Sequence, residues 1–135
     1  MNLQLGYGKS DSKAVLPFIK SLEKLSHNVF VVKDVLLDEE GLVLIPFTSS
    51  SDEAELLSSL GFLRRQKEFS SIPYLKIMPV FLYHSSKEDP EIAFEGNAGK
   101  VYEDIFSGEF KPYGWDLDAI HPEIEFDRVL ESYLE

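Results

Sequence analysis

The sequence predicts an α/β (α+β) domain, a mixed β-sheet flanked by helices. Two observations carry that prediction. Strand-like and helix-like apolar periodicities alternate along the whole chain, and neither a linker nor an internal repeat divides its 135 residues, so residues 1–135 read as a single domain. Leu3, Leu5 and Tyr7 alternate with Gln4 and Gly6, the period of a short first strand. Ser10-Asp11-Ser12 then offers helix-capping side chains. Val15, Phe18, Ile19, Leu22 and Leu25 form one apolar helical stripe, and Pro17 predicts that this helix starts late or kinks. Asn28 to Val32 reads as a second strand and Leu42 to Ile45 as a third, stopped by Pro46. Ser50 and Glu53 have capping-box spacing ahead of Ala54, Leu56, Leu57 and Leu60, with Gly61 as the C-terminal cap. Leu75 to Tyr83 is the strongest strand, although Pro79 asks for a bulge or an edge. Ile92–Phe94 and Val101–Ile105 flank Gly96-Asn97-Ala98-Gly99 and predict a hairpin. The segment 106–121 reads as irregular, and a final helix begins at Pro122.

Composition excludes more than it assigns. The chain has no cysteine, which removes disulfides, thiolate metal sites and cysteine nucleophiles. Its net charge of −11 argues against sequence-independent nucleic-acid binding, which needs phosphate neutralisation. No apolar run approaches the ~18 residues of a membrane span, and the first residues do not read as a secretory signal. A cytoplasmic protein with no membrane partner is therefore expected. The charge is uneven: residues 1–84 hold 10 acids and 9 bases, whereas residues 85–135 hold 14 acids and 4 bases. That acidic segment reads either as a solvated surface or as a face for a cation or basic partner.

Four stretches could carry chemistry. Asp38-Glu39-Glu40 lies in a turn before an apolar strand and reads either as an ordinary turn or as a carboxylate site for Mg²⁺. Gly8-Lys9-Ser10 lacks the upstream glycine of a P-loop, yet a glycine turn before a helix can offer N–H groups to phosphate, assisted by Lys9 and Lys13. Arg64-Arg65-Gln66-Lys67 reads either as a solvated basic run or as a phosphate clamp. Phe110-Lys111-Pro112-Tyr113-Gly114-Trp115-Asp116 holds the sole tryptophan and reads either as a packed aromatic loop or as a platform that stacks a flat ring. His27, His84 and His121 have no metal-ligand spacing and read as surface or capping residues.

Taken together, these segments resemble the inosine triphosphate pyrophosphatase family, which clears non-canonical purine nucleoside triphosphates. The opening glycine turn ending in Lys13, the run Val35-Leu36-Leu37-Asp38-Glu39-Glu40-Gly41-Leu42-Val43, Phe94-Glu95-Gly96 with Gly99-Lys100-Val101, and Tyr113-Gly114-Trp115-Asp116 are similar to its motifs in order. The chain departs from the pattern at Glu40, where the family has Ser or Thr, and it lacks the late Ser-His-Arg. The resemblance implies a curved mixed sheet with two lobes around a central cleft, usually in a homodimer. It also implies Mg²⁺-dependent hydrolysis of a nucleoside triphosphate to monophosphate and pyrophosphate. Asp38 and Glu39 would match the metal-binding and catalytic carboxylates. Lys13, Arg64 and Lys67 would match phosphate contacts, and Tyr113, Trp115 and Asp116 the residues that stack on the base and read its edge. The alternative is a non-catalytic acidic α/β module that binds a protein partner or a small ligand.

Overall fold

The computed structural model describes residues 2–33, 36, 42–61, 76–106 and 112–134. Five strands make one sheet: β1 (Asn2–Leu5), β2 (Asn28–Val31), β3 (Leu42–Phe47), β4 (Lys76–Tyr83) and β5 (Tyr113–Asp116). Their order is β2-β1-β3-β4-β5. The helices are α1 (Ser12–Lys24), α2 (Glu53–Ser59), α3 (Pro90–Ala93), α4 (Gly99–Phe106) and α5 (Pro122–Leu134).

The α/β class is the expected one, but among the described residues the sheet is parallel rather than mixed. Every described strand pair is parallel, with Leu3 opposite Val29, Leu5 opposite Leu44, Leu44 opposite Met78 and Leu82 opposite Trp115. The expected hairpin is helical instead, which removes the antiparallel element. Asp89 accepts hydrogen bonds from the backbone N–H groups of Glu91 and Ile92, and Pro90 occupies the first turn of α3. Gly96 marks a kink at φ −83°, ψ −132° and makes no hairpin turn. Val101, Tyr102, Ile105 and Phe106 are then buried at helical spacing. The segment expected to be irregular supplies β5.

Both strand prolines fit because, among the described residues, each lies outside the paired register on the side its missing donor would face. The Leu44 carbonyl accepts from Gly6 N–H, so even-numbered residues of β3 turn toward β1. The last paired residue of β1 is Leu5, opposite Leu44. At Pro46 there is accordingly no β1 carbonyl to satisfy, and β3 runs on to Phe47. On β4, the Tyr83 carbonyl accepts from Leu117 N–H, so odd-numbered residues turn toward β5. The β5 pairing begins only at Val80, one residue past Pro79.

Apolar residues cover both faces of the sheet, as a parallel sheet requires. Val43, Ile45, Phe47, Ile77 and Phe81 pack with Leu56 and Leu60 of the α2 region and with Val101 and Ile105 of α4. Leu3, Leu5, Leu44, Met78, Val80 and Leu82 pack on the opposite face with Val15, Phe18 and Leu22 of α1 and with Phe126 and Leu130 of α5. A crevice lies at one edge of this layered sheet.

Candidate functional site

In a parallel sheet all strands point their carboxyl ends to one edge. Here the chain runs outward from β1 to β2 on one side and from β3 to β4 and β5 on the other. The order reverses between β1 and β3, and the loops leaving those strands diverge to open a crevice. A cavity of about 390 Å³ lies at this edge. Ser10, Asp11, Lys13 and Ala14 line it after β1, and Thr48, Ser49 and Ser50 after β3. Leu82, His84, Lys87 and Glu88 of the β4 end and Leu117 after β5 complete the wall.

Each loop is held by its own hydrogen bonds. Asp11 is only 6% exposed; Ser51 Oγ donates to its Oδ2 at 2.8 Å and itself accepts from Thr48 N–H at 2.8 Å. Burial pushes the Asp11 carboxyl above its ordinary range; the Ser51 hydrogen bond opposes this, and the charges of Glu55 and Asp52 add to it. Asn97 Nδ2 donates to the carbonyls of Ser49 and Ser51 at 3.0 Å each, tying the kink before α4 to the loop after β3. Ser10 N–H donates to Glu55, Asp11 N–H to Gly8, and Ser12 N–H to Lys9. These three donors of the β1–α1 turn are therefore taken up within the protein. Lys13 and Lys87 are the cationic side chains that line the cavity among the described residues.

On the far wall, His84 Nδ1 lies 3.0 Å from Asp118 Oδ1. The other carboxylate oxygen of Asp118 accepts from Ser86 N–H at 2.9 Å and from Ser86 Oγ at 2.7 Å. The hydrogen bond with His84, followed by those from Ser86, holds the Asp118 carboxyl well below the usual carboxylate range. Glu88 accepts from His84 N–H at 3.3 Å and from Ser49 Oγ at 3.4 Å, so it bridges the loops after β4 and β3.

The structure distributes the sequence-nominated residues unevenly. Lys13 lines the cavity. Trp115 is 2% exposed, with its ring edge-on to Phe18 at 4.7 Å and to Phe126 at 5.1 Å. Tyr113 shares that face and packs on Phe126 at 5.4 Å. Asp116 Oδ1 accepts from Ser85 N–H at 3.2 Å and Asp118 N–H at 2.9 Å. Burial works to raise its pKa, but these hydrogen bonds outweigh it, and the net shift is downward. Asp38, Glu39, Arg64 and Lys67 lie outside the described residues. Leu42, the first described residue after the acidic turn, opens β3 at the sheet edge opposite the one where β5 delivers Asp116. Among the described residues, no group of three or more His, Asp or Glu side chains could hold a metal ion. Nor is any helix among them long and apolar enough to cross a membrane.

Sequence reasoning passed over the hydroxyl run Thr48-Ser49-Ser50 and the His84–Asp118 pair. A signal existed for part of this: Thr48-Ser49-Ser50 and His84 each follow immediately after an apolar strand, where a parallel sheet presents its site, whereas nothing local marks Asp118.

The fold and this edge define a doubly wound α/β domain with a polar crevice at its topological switch point. No family model matches the chain, and no curated protein matches it. Among solved structures, it is similar to a cysteine-to-alanine variant of flavodoxin from Pseudomonas aeruginosa at 11% identity and a TM-score of 0.46, over 99% of this chain and 97% of that one.

Proposed function

We propose that the protein binds a small polar molecule bearing hydroxyl and anionic groups in the switch-point cavity, in the cytoplasm. The cavity carries this reading: it combines four hydroxyl side chains, two lysines and two carboxyl groups over the apolar floor of Ala14, Leu82 and Leu117. An apolar floor with a few oriented polar groups is the usual make-up of a small-molecule site. Titration calorimetry with ribose, adenosine, adenosine monophosphate and inorganic phosphate tests it. Binding of one of these should weaken about tenfold or more in Lys13→Ala, as loss of a charge-assisted contact of about 1.4 kcal/mol or more requires. If every compound fails to bind, or if Lys13→Ala leaves affinity unchanged, the reading falls.

Lys13 also supports a second reading, because it is the phosphate contact implied by the resemblance to the triphosphate pyrophosphatases. That reading adds Mg²⁺, a nucleoside triphosphate substrate, Asp38 and Glu39 as the acidic pair and a homodimer. Release of pyrophosphate from inosine triphosphate with Mg²⁺, abolished in Asp38→Asn that still folds, would favour it over binding alone.

A further inference from the structure

We propose that His84 and Asp118 form a proton-transfer pair at the wall of the cavity, with His84 Nε2 as the reacting atom in hydrolysis of an acyl ester of a small polar molecule. The proposal rests on the cavity being the ligand site and gives that site a reaction. Asp118 is fixed at both carboxylate oxygens, one by the His84 ring and the other by two donors of Ser86. Its own N–H is anchored on Asp116, which also holds Ser85 N–H. The two loops that carry the pair are thereby locked to each other. An ionised carboxylate accepts the proton of Nδ1, which leaves the lone pair of neutral imidazole on Nε2. Among the described residues, Nε2 of His84 has no hydrogen-bond partner, and His84 lines the cavity with its side chain 44% exposed.

The charged and titratable groups around the ring are Asp118, Asp116, Glu88 and Lys87 on the β4 and β5 loops, and Lys13 and Asp11 across the cavity. In the step, Nε2 takes a proton from water as the water oxygen bonds to the acyl carbon. The bond to the leaving oxygen then breaks, its electron pair stays on that oxygen, and the imidazolium returns the proton to it. Ester and water become acid and alcohol, and His84 is regenerated. Positioned bases of this kind contribute about 10²–10⁴-fold.

p-Nitrophenyl acetate is the probe, with His84→Gln, Asp118→Asn and the control His121→Gln, whose ring is 67% exposed. The expected result is a rate at least about 10²-fold lower in His84→Gln and unchanged in His121→Gln. Ring ¹⁵N spectra should show Nδ1–H and a bare Nε2 in the wild type, with that tautomer preference lost in Asp118→Asn. The pH midpoint of the rate should coincide with the His84 titration read in the same spectra. An unchanged rate in folded His84→Gln, or a proton on Nε2 at neutral pH, overturns the proposal. If calorimetry still finds a ligand when the ester rate ignores His84, the pair is a loop fastener and the cavity reading stands. If neither is seen, both fail.

Discussion

Trp115 shows how one residue's meaning depends on the element that carries it. In the sequence it sits in an aromatic run with Pro and Gly, which fits a ring-stacking loop as well as a packed one. In the structure it is a strand residue opposite Leu82, enclosed by Phe18 and Phe126. Replacing it with alanine should cost about 3–5 kcal/mol, as large-to-small core changes do, read as a lower urea midpoint. Asp118 was invisible as a site residue because its partner His84 lies 34 positions away, and no spacing rule links them. Its folded pKa lies below the ordinary value of 3.8, so its stabilising contribution is complete above that pH and fades as the pH falls further. Asp118→Asn should therefore lower the urea midpoint at pH 7 and converge with the wild type toward pH 2. A gap of constant size across that range would contradict the assignment.

At the level of elements, the start of α1 is informative. The sequence predicted capping by Ser10, Asp11 or Ser12, together with a late start or a kink at Pro17. The helix instead begins at Ser12 and includes Pro17, and Asp11 caps nothing with its side chain, which is engaged by Ser51. Pro17 has no N–H for the carbonyl of Lys13, and it is exposed. Pro17→Ala should stabilise the protein by about 2 kcal/mol, the helix gain less the freedom returned to the unfolded chain, seen as a higher melting temperature. No change or a loss would mean that the ring has a packing role. Residues 92–105 read as a hairpin, the wrong period, because Gly96-Asn97-Ala98-Gly99 has the composition of a turn. What decides the matter is the Asp89-Pro90 cap and the pull of Asn97 on the loop after β3, and the second of these is a tertiary contact that local pattern cannot contain. The final helix, by contrast, was legible to its first residue, because Pro122 and the apolar positions Phe126 and Leu130 agree.

For the whole molecule, the α/β class followed from alternating periodicities, whereas the location of the site followed from strand direction. A mixed sheet scatters strand ends over two edges. An all-parallel sheet gathers the loops after β1, β3, β4 and β5 at one, and only then do Lys13, Ser49, His84 and Asp118 become neighbours. Their separations along the chain, 35 residues between Ser49 and His84 alone, put the constellation beyond any motif. The two core clusters share strands β3 and β4, which couples the stability of both faces to the sheet that holds the cavity. The most direct test of the account is an amide ¹⁵N–¹H titration with ribose, adenosine, adenosine monophosphate and inorganic phosphate, each in turn. The account predicts shifts concentrated at Ser10–Ala14, Thr48–Ser51 and Leu82–Glu88 and at Leu117, with the distant β2 edge unmoved. Shifts centred away from the carboxyl ends of the strands, or none at all, would contradict it.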